Sequence, residues 1–162
     1  ILQAEEGVLA RSIIYATDSN PEALKAAEAG IYSVERIAQF SQSYLQAGGK
    51  RSLADYYTAT EHGVIFDRAL RRTAVFADHS LATDSVFSET QLVLCRNVLI
   101  YFNKTLQDRA LGLFHESLTH RGFMGLGSKE SIEFSSYAKH FDVLDKPARI
   151  FRKRQVAPAA AV

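Results

Sequence analysis

The 162 residues, 47% apolar and 23% charged, suffice for one ordinary domain with a real core. A net charge of +1 creates no global field toward nucleic acid or membrane. No run approaches the ~18 apolar residues of a membrane span, and no basic leader precedes a short apolar stretch. The single cysteine, Cys95, excludes an internal disulfide framework and a multi-cysteine metal site. Lying within an apolar run, it reads as a buried small hydrophobe, and the compartment implied is cytoplasmic.

In chain order, Ile1 to Ala10 reads as the last turns of a helix ending near Gly7. Ile13 to Ala16 is a short buried strand that stops at Thr17-Asp18. Ser19 or Asn20 can cap the next helix, with Pro21 and Glu22 suited to its first turn and Gly30 just past its end near Ala29. Val34 to Ala47 predicts a second helix with Ile37, Phe40, Tyr44 and Leu45 on one face and Gly48-Gly49 as its stop. Tyr56 to Thr60, Val64 to Phe66 and Ala74 to Ala77 read as strands. Leu92 to Cys95 reads as a strand buried on both faces, as in a parallel sheet. Lys104 to His120 is a long amphipathic helix that Gly122 terminates. Phe123 to Leu126 is a further strand, Phe141–Leu144 and Arg149–Arg152 predict a closing antiparallel pair, and the alanine-rich tail from Val156 to Val162 predicts disorder. No internal repeat is visible. Strand–helix alternation with short apolar strands means an α/β sandwich with a mainly parallel sheet, carrying a small antiparallel addition between Ser52 and Phe76.

Three polar constellations interrupt this pattern. Asp18 stands at the C-terminal tip of a strand ahead of a capped helix. There its two oxygens either accept from the vicinal hydroxyls of a ribose or cap the turn at Asn20-Pro21. Asp78-His79-Ser80-Leu81 leaves another strand. Arg96 and Asn97 break the apolar run Leu92 to Phe102 where open α/β sheets collect their ligands; the alternative is that they lock the loop, Arg96 in a salt bridge and Asn97 as a helix cap. The five histidines show no metal spacing, since His115 and His120 do not share a helix face. Gly122, Gly125 and Gly127 do not form a dinucleotide fingerprint and read as backbone-fitting glycines. Lys50, Arg51, Arg68, Arg71 and Arg72 make a locally basic group, ordinarily a solvated surface, that would also steer an acidic helix.

The run Leu-Val-Leu-Cys-Arg-Asn-Val-Leu-Ile-Tyr-Phe, 92 to 102, closely resembles the signature of the CheR family, the S-adenosylmethionine-dependent methyltransferases that esterify glutamates on bacterial chemotaxis receptors. The resemblance extends over Ile13 to Arg152. It takes in Ile13–Leu24, the Ser43–Tyr57 segment, Phe76–Phe87 and Leu113–Ser131. It implies a Rossmann-like class I methyltransferase sandwich, with residues 1–154 as a partial catalytic domain, about 52–76 a β subdomain and 155–162 a disordered tail. It also implies that Asp18 holds the cofactor ribose and that Ser80 and Leu81 meet the adenine edge. Arg96 and Asn97 then line the methionyl and ribose side, and Tyr101, read as one helical turn beyond Asn97, orients the substrate carboxylate. S-adenosylhomocysteine would be the product, and cytoplasmic receptor helices the partner. Lys129-Glu130-Ser131 matches the family's serine–glutamate region, to which no chemistry is assigned.

Two departures qualify the resemblance. Ser80 stands where the family carries an asparagine, and a hydroxyl lacks the planar amide fork that matches adenine. The family's first strand and its glycine loop have no counterpart between Ile1 and Asp18, where Gly7 is the sole glycine. The expectation is therefore that the first strand is missing, that two strand edges are left open for dimerisation or strand exchange, and that these residues alone bind S-adenosylmethionine poorly and do not turn over. The competing expectation is a non-catalytic module that adds a receptor or partner peptide to a sheet edge. Nucleotide-sugar or NAD chemistry would need a phosphate-binding glycine loop, which is absent from this sequence.

Overall fold

The structure, a computed structural model, describes residues 1–86 and 88–155; the expected disorder of Val156–Val162 lies outside the described residues. The chain folds as two compact units that divide between His79 and Ser80.

The first unit opens with α1 (Leu2–Glu5) and β1 (Ile14–Asp18), followed by α2 (Pro21–Ala29), β2 (Ile31–Tyr32) and α3 (Ile37–Gln46). Then come β3 (Tyr57–Thr60), β4 (Gly63–Phe66), the short α4 (Arg68–Arg71) and β5 (Ala74–Asp78). β1 and β5 pair in parallel, Ile14 opposite Ala74 through Asp18 opposite Asp78, and α2 packs along both. The anticipated punctuation of α2 is what forms. Asn20 rather than Ser19 is the cap, its Oδ1 accepting from the Glu22 amide at 2.9 Å. Pro21 begins the helix, and Gly30 closes it at φ 63°, a left-handed conformation that glycine adopts without strain. The Arg71 guanidinium then donates to the free carbonyls of Glu28 and Ala29 at 2.7 and 3.2 Å. The antiparallel addition is a three-stranded sheet in the order β2-β4-β3, so it recruits Ile31–Tyr32 as well as the 52–76 segment. Of the four residues assigned to one face of α3, Tyr44 is buried as expected, whereas Leu45 is 57% exposed.

The second unit contains β6 (Thr90–Cys95), α5 (Lys104–Ser117), β7 (Leu118–Leu126), β8 (Phe141–Asp145) and β9 (Ile150–Lys153). Its sheet has the order β6-β7-β9-β8. β6 and β7 are parallel, and β9 runs antiparallel to both β7 and β8. The sheets are thus mixed rather than mainly parallel, because the closing strands and the β addition both pair antiparallel. Ala110, Leu111 and Phe114 of α5 pack with Met124, Leu126, Phe141 and Phe151 of the sheet to form the core.

Two sequence expectations fail here for physical reasons. The long helix ends at Ser117, not His120, and Leu118 already begins β7. Lys153, from β9, donates its ammonium to the carbonyls of His115 and Leu118 at 2.6 and 2.7 Å, capping the helix from far away in sequence. β6 is not buried on both faces: Leu92 and Leu94 are 52% and 68% exposed, while Cys95 on the other face is in the core.

Asn20→Ala should cost about 1 kcal/mol of stability in urea unfolding, the usual loss for an N-cap, whereas Ser19→Ala should change it by less than about 0.5 kcal/mol.

Candidate functional site

In the first unit, Asp18 is the last residue of β1 and is exposed. Its Oδ1 accepts from the Asn20 amide at 2.9 Å, so one oxygen tightens the turn into α2. No donor among the described residues reaches Oδ2, which remains open for a ligand hydroxyl. The two readings of Asp18 are therefore compatible, one per oxygen.

In the second unit, Ser80 and Asp84 close a turn. The Ser80 amide donates to Asp84 Oδ2 at 2.8 Å and the Asp84 amide to the Ser80 carbonyl at 2.9 Å. The Ser80 hydroxyl accepts from the Ala82 amide at 3.3 Å, so part of its capacity is spent inside its own turn. Leu81 rests partly buried against the core of this unit, and its amide has no acceptor among the described residues. Arg109 on α5 donates to the Asp84 carbonyl at 2.8 Å and moors the turn to the helix.

Arg96 and Asn97 follow β6 and are exposed. Neither alternative role assigned to them occurs: Arg96 has no ion-pair partner among the described residues. Asn97 caps no helix, being held at φ 59°, a conformation that Asn tolerates better than most residues. The cap of α5 is Asn103, whose Oδ1 accepts from the Leu106 amide at 2.9 Å. Between them, Leu99–Tyr101 forms a single 3-10 turn followed by extended Phe102. Tyr101 is thus not one α-helical turn beyond Asn97; it stands 81% exposed on that turn.

What holds this loop is a residue to which the sequence reading gave no role. Glu130, 3% exposed, accepts from the amides of Val98 and Leu99 at Oε1, both at 2.8 Å, and from Gly127 at Oε2, at 2.6 Å. Gln107 serves the loop's acceptors, its amide donating to the carbonyls of Leu99 and Phe102 at 2.9 and 3.0 Å. Gly127, at the end of β7, is required by space: a Cβ there would lie 2.7 Å from Glu130 Oε2 and 2.8 Å from Asn97 Oδ1. Cys95, just before the loop, is buried, and burial together with the Glu130 charge pushes its thiol up to about 12. It is a packing residue and not a nucleophile. The spacing of Gly127 and Glu130 at a strand end was the available signal for this lock, and it becomes meaningful only once β6 and β7 are known to be neighbours.

Exposed polar residues on the loops beyond the C-terminal ends of parallel strands stand where open α/β sheets hold their ligands. The chain belongs to the CheR methyltransferase family: the family model described as "CheR methyltransferase, SAM binding domain" matches residues 1–150. It is 64% identical over 153 residues to the Cher3 protein of Pseudomonas putida, named for a methyltransferase, covering 94% of this chain and 56% of that one. It is 30% identical over 124 residues to the chemotaxis protein methyltransferase of Listeria monocytogenes, covering 74% and 42%. With the protein of the same name in Escherichia coli it shares 29% over 133 residues, covering 79% and 43%. The chain therefore spans about half the length of these relatives.

S-adenosylmethionine is the cofactor of this family's domain. Among the described residues, the first unit leaves one Asp18 carboxylate oxygen open, and the second, taken by itself, leaves the Leu81 amide open and the Arg96 guanidinium without an ion pair, all groups able to bond a polar ligand.

Gly127→Ala should destabilise the protein by about 1–3 kcal/mol through overpacking against Asn97 and Glu130, read as a fall in the urea midpoint with an unchanged slope.

Proposed function

We propose that this chain is the S-adenosylmethionine-binding part of a protein-glutamate O-methyltransferase that esterifies glutamates on the cytoplasmic helices of chemotaxis receptors. The observation that carries the reading is the exposed Arg96-Asn97 pair, set on a loop anchored from behind, within a chain of the CheR family. When bound, S-adenosylmethionine supplies an activated methyl group, and S-adenosylhomocysteine is left. The chain's own contribution is binding and orientation, because an ionised carboxylate needs little acid–base help to accept a methyl group. In-line positioning away from water supplies most of the rate.

Each candidate residue has a part in this reading. Asp18 Oδ2 accepts from the ribose hydroxyls. Leu81 presents its amide and side chain to the adenine, with Ser80 contributing less because its hydroxyl already serves its own turn. Arg96 and Asn97 hold the methionyl side, and the exposed Tyr101 hydroxyl orients the substrate glutamate. Among the described residues β1 pairs only with β5 and β6 only with β7. Those open edges support placing the family's first strand and glycine loop outside these 162 residues, and with them much of the cofactor affinity. They also make strand-mediated dimerisation of the isolated chain an expected side reaction. The site of action is the cytoplasm, where the receptor helices lie.

A second reading, a non-catalytic module that binds a receptor or partner peptide along the free edge of β3, draws support from the engaged Ser80 hydroxyl and from that open edge.

Transfer of labelled methyl from S-adenosylmethionine to receptor-containing membranes decides between them. A version extended N-terminally should transfer label while the 162 residues alone should not, and Asp18→Ala in the extended form should weaken cofactor binding by about 10–100-fold, the value of one or two charge-assisted hydrogen bonds. No transfer by either form would favour the binding module.

A further inference from the structure

Glu130 is the one charged side chain fully buried among the described residues, and no cation pairs with it. A carboxylate placed so is costly unless its lone pairs are taken up by donors. Here they are taken up by main chain alone, from two different strand ends. Val98 and Leu99 belong to the loop after β6, and Gly127 to the loop after β7. Glu130 closes its own turn by donating its amide to the Gly127 carbonyl at 2.9 Å, so the side chain is fixed at its root as well as at its tip.

The consequence falls on the residues just before the captured amides. The Val98 and Leu99 amides are held by one carboxylate oxygen, and Gly127 lies close against Asn97, a Cβ there having only 2.9 Å to the Asn97 nitrogen, so Asn97 sits in its left-handed conformation between two fixed neighbours. The Arg96 and Asn97 side chains flanking that backbone conformation are both exposed, and neither has a hydrogen-bond or ion-pair partner among the described residues.

We propose that Glu130 is a positioning residue: its buried carboxylate presets the Arg96-Asn97 loop for S-adenosylmethionine without touching the cofactor. The proposal rests on the function argued above. It accounts for a polar residue in the serine–glutamate segment that packing alone leaves unexplained, since a loop can be capped from the surface at lower cost.

Glu130→Gln keeps the shape but turns an NH2 toward amides that are themselves donors. In the full-length protein, isothermal titration with S-adenosylmethionine and with S-adenosylhomocysteine should show affinity falling about 10–100-fold, with Glu130→Asp, which keeps an acceptor-only group, lying between. Asp108→Asn is the control. Asp108 also accepts three hydrogen bonds, from the Ser135 hydroxyl at 2.6 Å and from the Ser136 amide and hydroxyl at 2.8 Å, but none from the 96–102 loop. It should lower the melting temperature and leave cofactor affinity unchanged.

Wild-type affinity in Glu130→Gln, or an equal loss in Asp108→Asn, overturns the proposal. Should Glu130→Gln not fold, Glu130→Asp carries the test by the same criterion. Absence of binding by the wild type would overturn the functional reading and this proposal together, whereas equal binding by wild type and Glu130→Gln overturns this proposal alone.

Discussion

A single carboxylate, that of Glu130, ties the loops after β6 and β7 together through the amides of Val98, Leu99 and Gly127. Hydrogen bonds to a charged group are worth roughly 1.5–3 kcal/mol each, which offsets a desolvation penalty of several kcal/mol for burying the ion. The balance is small, so the net gain is geometrical: two strand ends acquire one fixed arrangement. Gln107 completes it from the other side by donating to the Leu99 and Phe102 carbonyls, and Asn103 caps α5 beyond. The backbone of the 97–103 loop is thus anchored by side chains of the unit itself, and the outward-facing residues keep their capacity for a ligand.

The first unit uses the same device at a different place. Glu5 accepts from the hydroxyls of Tyr44 and Tyr56, the latter at 2.7 Å, and from the Lys50 amide at 3.0 Å. The Tyr44 hydroxyl in turn accepts from the Arg51 amide at 3.0 Å. These bonds hold the Glu5 carboxyl below its ordinary value, the Tyr44 hydroxyl contributing most, and the same carboxylate pushes the Tyr56 phenol up to about 12. The consequence is structural: α1, α3 and the segment after Gly49 are joined around one acceptor. Lys50 and Arg51, which looked like a free basic surface in the sequence, pair with Glu6 at 2.5 Å and Asp55 at 3.6 Å. Arg71 is spent on the end of α2. Arg68 and Arg72 have no ion-pair partner among the described residues, and Arg71 keeps its charge because its acceptors are neutral carbonyls.

Local chemistry was legible in the sequence wherever it decided the outcome. The bounds of α2 follow from Asn20, Pro21 and Gly30, and the parallel strand ending at Asp18 follows from a short β-branched run before polar residues, but its expected burial does not hold: Ile13, Ile14 and Tyr15 are exposed. The antiparallel segment and the closing pair of β8 and β9 follow from their own patterns. What escaped was decided by residues distant in sequence. The end of α5 depends on Lys153, thirty-eight positions from His115. The form of the 97–101 segment depends on Glu130, which made a helical reading of Asn97 to Tyr101 fail. The motif around Arg96 and Asn97 pointed to the place but not to what shapes it, because a carboxylate thirty-two residues away from Val98 leaves no periodic mark.

The claim that one buried carboxylate fixes this loop is most directly tested by hydrogen exchange of the Val98, Leu99 and Gly127 amides in the wild-type protein. They should exchange as slowly as the amides of β7 that pair with β9, well below the rates of the exposed residues around Phe134. Exchange of Val98 and Leu99 at the rates of an open surface loop, with β7 still protected, would contradict the account.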